Sequence, residues 1–359
     1  MISETESLPK LRRYGIPYKG SKNNIAEWVY KHFPKQTNFY DLFAGGCAIT
    51  QIALMKGHFQ RYFANDLDFD GITLFMEAIH GRFRNETRWI SREDFKALYE
   101  KDPYVKYCWS FGNRGLQYLY SEELEPYKRA CHYAIVFDDW KELEKLCPEI
   151  INEAKQALKG VSNIQQRRLN FGPSVVKKLK KTGDWNVVVN NPLYMSCHWR
   201  GGKLDGKQND LQSLQSLERL QSLQSLERLQ SLERLESLER LQSLESLQRL
   251  ERLERLSVSN KSYDEVEILP QSVIYCDIPY YDTDEYAEGG FDHQKFYKWA
   301  LQQKELVVIS EYYMPDDFMC IDAIEKSVTL CSGSDVKAIE KLFIPKTQRD
   351  LYFNLMKRR

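Results

Sequence analysis

The sequence lacks a net positive charge, which is common in nucleic-acid-binding proteins, and the cysteine and histidine clusters of many metal-binding proteins. Its 359 residues carry 51 basic and 51 acidic side chains and no net charge at pH 7. No overall electrostatic field therefore draws the chain toward nucleic acid. The eight cysteines include no pair at CxxC spacing, and the six histidines form no cluster beside them. We expect reduced thiols, mostly buried, and no metal site.

Long apolar runs are also lacking. No stretch approaches the roughly 18 apolar residues that a membrane-spanning helix needs. The first ten residues, MISETESLPK, are polar and acidic, unlike a signal peptide. These features predict a cytoplasmic protein with no membrane partner. The hydrophobic content of 42% and the aromatic content of 13% are typical of globular proteins, and the length allows two domains.

One segment differs from the rest of the chain in composition. From Leu211 to Leu256 a leucine stands at every third position, separated by pairs drawn from Gln, Glu, Ser and Arg. On an α-helix each three-residue step moves the leucine back by about 60°, so the leucines encircle the helix without forming one apolar face. This pattern predicts a low-complexity insertion, helical or irregular, that catalysis does not need. A period-three solenoid or an oligomerising rod is the alternative.

Strand and helix patterns alternate on both sides of this repeat. Residues 36–57 predict a strand, a glycine turn and a helix, and the strand RYFAND and a helix around GITLFMEAIH follow. After the repeat come the strand SVIYCDIPY, the helix FDHQKFYKWALQQ and the strand ELVVISEYY. Such alternation predicts an α/β fold with a doubly wound, mainly parallel sheet. The sheet is encoded in two halves, with a separate module between them.

Acidic residues close three of the predicted strands. Asp41 begins the segment DLFAGG, whose glycines allow a tight turn and the close approach of a ligand. Asp66 closes the next strand, where a carboxylate can accept hydrogen bonds from the two hydroxyls of a ribose. Because ligands bind at the carboxyl ends of parallel strands, the pair predicts a nucleoside-like cofactor. Upstream, the loop GIPYKGSK could hold a carboxylate or phosphate, or could simply begin a helix.

Asp277 closes a third strand and begins the segment Asp277-Ile278-Pro279-Tyr280. The carboxylate of Asp277 and the next backbone carbonyl could hold the two hydrogens of an aromatic amine and localise its lone pair. Tyr280 could stack on the ring, as aromatic side chains do on a flipped base. Methyl transfer would then need mainly positioning of the nitrogen. The segment Asn191-Pro192-Leu193-Tyr194 has a similar pattern, but Asp277 is favoured because a helix and a strand follow it.

Taken together, these segments resemble the Dam-like adenine-N6 DNA methyltransferases of the D12 class, in their α arrangement. YKGSK resembles the first cofactor motif of that family, DLFAGG its glycine motif, and Asp277–Tyr280 its DPPY motif. The resemblance implies a Rossmann-like sheet that binds S-adenosyl-L-methionine, with a target-recognition domain inserted into it. The implied cofactor-binding residues are Tyr18, Lys22, Asp41, Phe43, Ala44, Gly45, Asp66 and Asp277. Ile278 departs from the usual proline, but the position contributes only its carbonyl.

The expected domains follow from this order of motifs. Residues 10–80 and 258–355 form the two parts of the catalytic domain, residues 81–205 a mainly helical recognition domain, and residues 206–257 the repeat insertion. Between Lys155 and Lys181 there are eight basic residues and no acidic one. Such a stripe suits contact with DNA phosphates. The expected DNA-binding residues are Arg114, Arg167, Arg168, Lys177 and Lys178, although the segment around Arg114 could equally be a packed aromatic turn.

These features predict a site-specific adenine-N6 methyltransferase that acts on a flipped adenine of double-stranded DNA. We expect a monomer or a weak dimer, with a cognate endonuclease as a possible partner. Two alternatives stay open at this stage. One is a methyltransferase for RNA or for a protein amide nitrogen, because the same motif grips any planar amine. The other is an inactive DNA-binding relic that has lost its cofactor.

Overall fold

The computed structural model describes residues 14–180, 237–238, 240–244, 246–247, 251–280, 290–329 and 335–358. The chain divides into two compact units. Unit 1 comprises Met1–Arg84, Leu238–Val328 and Val336–Arg359. Unit 2 comprises Asn85–Ser237 and Thr329–Asp335.

Unit 1 is built on a sheet of seven strands within the described residues. The strands are β1 (Asn38–Asp41), β2 (Arg61–Asn65), β3 (Leu256–Ser259), β4 (Ser272–Cys276), β5 (Leu306–Glu311), β6 (Phe318–Thr329) and β7 (Asp335–Pro345). Their order across the sheet is β3-β2-β1-β4-β5-β7-β6. The pairings from β3 to β5 are parallel, and β7 runs antiparallel to β5. The predicted doubly wound sheet is thus present, with β1 and β4 side by side although the repeat separates them in sequence.

The central strands are buried on both faces, as strands of parallel sheets usually are. All residues of β1, β4 and β5 are buried. Because side chains alternate along a strand, neighbouring residues enter different cores. Phe39 packs into one core with Tyr275, whereas Tyr40 packs into the other with Ile274. Each sheet face therefore has its own hydrophobic core.

Unit 1 also contains helices. They are α1 (Ala26–Tyr30), α2 (Ala48–Lys56), α3 (Asp70–Ile79), α10 (His293–Gln302) and α11 (Arg349–Met356). The first core takes side chains from α1, α2 and α11, and the second takes side chains from α10. The predicted helices after β1, β2 and β4 are confirmed. Helix α1 is shorter than the segment NNIAEWVYKHF suggested, because the residues before Ala26 form turns.

Unit 2 is mainly helical in its described part, as expected for residues 81–205. Its helices are α4 (Arg92–Leu98), α5 (Pro103–Cys108), α6 (Glu125–Phe137), α7 (Lys141–Leu146), α8 (Ile151–Leu158) and α9 (Ile164–Lys180). Ser91 and Asp94 form a capping box that begins α4. A separate core joins α6 to α9, with Trp140 and Leu143 among its buried members.

The end of the leucine repeat corrects the predicted domain boundary. The repeat was expected to lie outside the catalytic domain until residue 257, yet unit 1 resumes at Leu238. Four leucines at the three-residue spacing are buried, namely Leu238, Leu241, Leu244 and Leu247. The last leucine of the repeat, Leu256, begins β3, which pairs with β2. Strand pairing and burial explain the difference: the final part of the repeat completes the sheet-bearing unit.

Candidate active site

The predicted site residues come together at the carboxyl edge of the parallel strands. Asp41 ends β1, Asp66 follows β2 and Asp277 follows β4. They line a cavity of about 700 Å³ in unit 1. All the residues expected to bind cofactor or substrate amine line it: Tyr18, Lys22, Asp41, Phe43, Ala44, Gly45, Asp66, Asp277, Ile278, Pro279 and Tyr280. The residues named from the sequence thus lie around one cavity, and their roles there stay predictions.

The glycine turn after β1 forms one wall of the cavity. Gly45 has a φ of +45°, a left-handed value that glycine adopts at little cost. At Gly46 a Cβ atom would lie 2.6 Å from the Cβ of Tyr18, so only glycine lets the Tyr18 loop pack this closely. The backbone N–H of Gly45 donates to Oδ2 of Asp66 at 2.7 Å. The turn and the acid after β2 thus hold each other in place.

Asp66 sits at the position expected for a ribose-binding carboxylate. Its second oxygen, Oδ1, accepts the backbone N–H of Asp68 at 2.9 Å. Burial raises the pKa of Asp66 to about 6, although these two N–H bonds oppose the shift. Each carboxylate oxygen has two lone pairs, so either can still accept a hydroxyl from a ligand.

Asp41 is buried at the floor of the cavity. Its Oδ2 accepts both the backbone N–H of Thr50 at 3.0 Å and the hydroxyl of Thr50 at 2.7 Å. Its Oδ1 is buried without a hydrogen-bond partner in the described structure. Burial, together with the Asp277 and Asp66 carboxylates, raises the pKa of Asp41 to about 7, although the hydrogen bonds from Thr50 oppose the shift. A ligand that donates a hydrogen bond here would satisfy an atom that is otherwise costly to bury.

Lys22 places a buried positive charge between two acids. Its Nζ lies 2.6 Å from Oδ1 of Asp277 and 3.7 Å from Oε1 of Glu340. The side chain of Lys22 is only 4% exposed. Burial alone would lower the pKa of Lys22, but Asp277 and Glu340 outweigh it and the pKa is raised. The lysine is therefore charged, and it neutralises part of a strongly acidic region.

The Asp277–Tyr280 segment is held at three points. The Ile278 side chain is buried in the core that contains Phe296. The carbonyl of Pro279 lies 2.8 Å from Nε2 of His293, and this nitrogen must donate because a carbonyl only accepts. The hydroxyl of Tyr280 donates to Glu340. Ile278 thus fills a core position, which explains how a residue other than proline is accommodated here.

Glu340 and His293 were not predicted as site residues. Glu340 is fully buried on β7, while its neighbour Ile339 is 55% exposed. Glu340 shares a face of β7 with Leu342 and Ile344, which are also buried. The sequence segment IEKLFI has one charged and two apolar residues on each face, so alternation does not show which face is buried. His293 has no signal in the sequence either, because its role depends on how α10 begins.

The residues expected to contact DNA differ in their surroundings. Arg114 is exposed and lies in a turn closed by a bridge between Ser110 and Tyr118. The Asn113 and Gly115 positions beside it have left-handed backbones, with φ of 54° and 74°. This turn presents Arg114 away from the core of unit 2. In the same segment Trp109 and Ser110 are buried and Phe111 is half-buried, so part of the turn is packed.

Arg167 has a structural environment. Its guanidinium donates to the backbone carbonyls of Ala134, Ile135 and Val161. It also pairs with Asp138, the residue after helix α6, at 2.7 Å. These contacts satisfy carbonyls at the end of α6, which helices leave without intrahelical partners. They give Arg167 a structural role in unit 2, and its contact with DNA stays a prediction.

The remaining predicted positions are less informative. Arg168 is partly buried on α9. Lys177 and Lys178 lie within α9, but their side chains are outside the described part of the chain, as is the segment Asn191–Tyr194.

Among the described residues, no group of His, Cys, Asp or Glu could hold a metal ion. No helix in the described ranges is both long and apolar enough to cross a membrane.

The sheet order and the acids at its carboxyl edge are consistent with a methyltransferase of the Rossmann-like class. Residues 18–155 match the family model of the D12 class N6 adenine-specific DNA methyltransferases. This match confirms, for that part of the chain, the resemblance seen in the motifs. The matched segment ends before β4, so Asp277–Tyr280 lie outside it. No curated protein matches the chain.

Proposed function

We propose that the protein transfers a methyl group from S-adenosyl-L-methionine to N6 of a flipped adenine at a specific site in double-stranded DNA. The observation that carries this proposal is the single cavity lined by the expected cofactor residues and by Asp277–Tyr280. A methyl donor and an amine acceptor must lie side by side for direct transfer, and one cavity with both sets of residues allows this.

The residues present fit such a cofactor. A volume of about 700 Å³ is within the usual range for sites of small ligands. Asp66 is placed for ribose hydroxyls, and the unpartnered Oδ1 of Asp41 can accept a hydrogen bond from an ammonium group. When bound, S-adenosyl-L-methionine supplies an electrophilic methyl group on a positively charged sulfur. Lys22 offsets only part of the negative charge of Asp41, Asp66 and Asp277, so the cavity stays acidic. An acidic cavity favours such a cation.

The protein's own residues then orient the adenine. Asp277 accepts a hydrogen bond from the exocyclic amine, and the backbone carbonyl of Ile278 accepts the other. These two acceptors draw the nitrogen toward tetrahedral geometry and localise its lone pair. The hydroxyl of Tyr280 donates a hydrogen bond to Glu340, and this bond holds the tyrosine so that its ring faces the base. The contact of His293 with the Pro279 carbonyl keeps this segment from moving as the base binds.

Recognition of a DNA word is proposed for unit 2. The exposed turn that carries Arg114 supports this role, because an arginine can contact phosphates or guanine edges. Lys177 and Lys178 on α9 are further candidates for phosphate contact. A cytoplasmic location and a cognate endonuclease are parts of the same proposal that the family assignment leaves open.

The test is a transfer assay with cofactor labelled on its methyl group. Duplex DNA, RNA and a glutamine-containing protein are offered separately, and the methylated product is identified by mass spectrometry. We expect N6-methyladenine in duplex DNA alone. Label in RNA or in protein amide nitrogen would support the alternative substrates instead. Absence of cofactor binding by calorimetry would contradict the proposal and favour a relic without activity.

A further inference from the structure

Glu340 is a buried acid in contact with the Asp277–Tyr280 segment, on a strand outside the matched family segment. Its side chain is completely excluded from solvent. Its Oε1 accepts a hydrogen bond from Oγ of Ser310 at 2.8 Å and another from the hydroxyl of Tyr280. Burying a carboxylate is unfavourable unless hydrogen bonds and an opposite charge compensate it. Ser310, Tyr280 and Lys22 supply that compensation.

We propose that Glu340 is a positioning residue for methyl transfer, which fixes Tyr280 in the base pocket and shares the charge of Lys22 with Asp277. This inference rests on the function proposed above and adds a residue that the motif itself does not contain. Glu340 does not touch the reacting atoms. It acts through the two residues that it contacts.

The first effect concerns the direction of the Tyr280 ring. The ring centroid lies 4.4 Å from that of Tyr312, at an interplanar angle of 53°. The Nζ of Lys22 lies 4.7 Å from the centre of the Tyr280 ring. Neither contact is strongly directional, whereas a hydrogen bond to a carboxylate is both directional and strong. Of these three contacts, the hydrogen bond to Glu340 constrains the direction of the Tyr280 ring most strongly.

The second effect concerns the acceptor strength of Asp277. An ammonium group at 2.6 Å withdraws electron density from the carboxylate that must accept the amine hydrogen. A second carboxylate at 3.7 Å from the same ammonium takes part of that interaction. Removing the charge of Glu340 leaves Asp277 as the carboxylate that pairs with Lys22 among the residues the structure describes. The amine is then held less firmly, although the cofactor pocket keeps its shape.

The experiment compares Glu340→Gln, Tyr280→Phe and the double variant in single-turnover methyl transfer to duplex DNA. The glutamine keeps the volume and an accepting oxygen but removes the charge. We expect Glu340→Gln to slow transfer by about 10- to 100-fold, the range that a hydrogen bond to a charged group gives. Cofactor affinity by calorimetry should change by less than about threefold, since a positioning effect lies in the transfer step.

The double variant separates positioning from general damage. Because both residues act through one contact, the double variant should lose less rate than the product of the two single losses. Glu325→Gln, the same change at an exposed position on β6, serves as the matched control and should keep the wild-type rate. If Glu340→Gln lowers the melting temperature strongly, Tyr280→Phe alone decides, because it removes the contact and leaves Glu340 in place.

Three outcomes overturn the inference. They are a wild-type rate for Glu340→Gln, a wild-type rate for Tyr280→Phe, and additive losses in the double variant. If any of these occurs while Asp277→Ala is inactive, the proposed function stands and the role of Glu340 is wrong. If Asp277→Ala transfers methyl groups at the wild-type rate, the proposed function itself fails.

Discussion

The ammonium of Lys22 lies 2.6 Å from the carboxylate of Asp277, and both side chains are largely buried. The two residues are far apart in sequence, before β1 and after β4. They meet because the loop before α1 packs on the glycine turn after β1, where the N–H of Ile16 donates to the carbonyl of Gly46 at 2.8 Å, and because β1 lies beside β4. This ion pair joins the loop expected to bind cofactor to the segment expected to hold the adenine. It is the link through which both halves of the catalytic unit form one site.

Loss of the lysine should therefore destabilise the protein. Lys22→Met leaves Asp277 and Glu340 buried without their shared cation, and such a loss costs about 3–5 kcal/mol. Denaturant unfolding measures this loss in the free energy of unfolding. Lys298→Met, on the exposed side of α10, is the control, and an equal effect of the two variants would contradict the account.

Asp41 should make stability depend on pH. Burial raises its pKa to about 7 from the ordinary value of 3.8, so the folded protein binds this proton more tightly than the unfolded chain does. The stabilising contribution is complete at low pH and is lost as pH rises toward 7. Asp41→Asn should reduce the difference in unfolding free energy between pH 5 and pH 8 by up to about 3 kcal/mol. The control is Asp350→Asn, at an exposed position. An unchanged difference between pH 5 and pH 8 in Asp41→Asn would disprove the role of the Asp41 proton.

The end of the leucine repeat should be required for folding of unit 1. Leu241 is completely buried, and a buried leucine changed to alanine costs about 2–5 kcal/mol. Leu351→Ala, at a position 37% exposed on α11, should cost far less. Thermal unfolding of the two variants gives the comparison. Deletion of residues 211–256, which the sequence suggested would be harmless, should abolish activity because it removes Leu241 and the start of β3.

Arg114 and Arg167 should behave differently when changed to alanine. Arg114→Ala should weaken DNA binding and lower the slope of log affinity against log salt by about one, with no change in melting temperature. Arg167→Ala should lower stability by about 1.5–3 kcal/mol, because carbonyls at the end of α6 lose a charged donor. Salt-dependent binding and thermal unfolding separate the two. A stable Arg167→Ala protein that binds DNA weakly would instead support direct contact of Arg167 with DNA.

Much of the fold and of the cavity could be predicted because the signals are local. Each strand that ends in an acid, such as β1 before Asp41 and β4 before Asp277, is a short apolar run followed by a turn. The order of such runs predicts a parallel sheet and places the acids at one edge. The cavity residues that this reasoning predicts are those that stand at the ends of these strands.

What escaped prediction depends on contacts between distant segments. The burial of Glu340 depends on Ser310 and Lys22, which contact it from distant parts of the chain. The inclusion of Leu241 in unit 1 depends on neighbours outside the repeat. The engagement of Arg167 with α6 requires the packing of α9 against α6. A charged side chain in a basic stripe has the same sequence pattern whether it binds DNA or donates to the carbonyls at the end of a helix.

The most direct test of the central claim is a comparison of Asp277→Ala with Ile278→Pro in the labelled-methyl assay on duplex DNA. The account predicts that Asp277→Ala forms no N6-methyladenine, because the amine loses its main acceptor. Ile278→Pro keeps the carbonyl and should retain transfer per folded molecule, with stability lowered by about 1–3 kcal/mol through lost packing in the core. N6-methyladenine formed by Asp277→Ala at the wild-type rate would contradict the account.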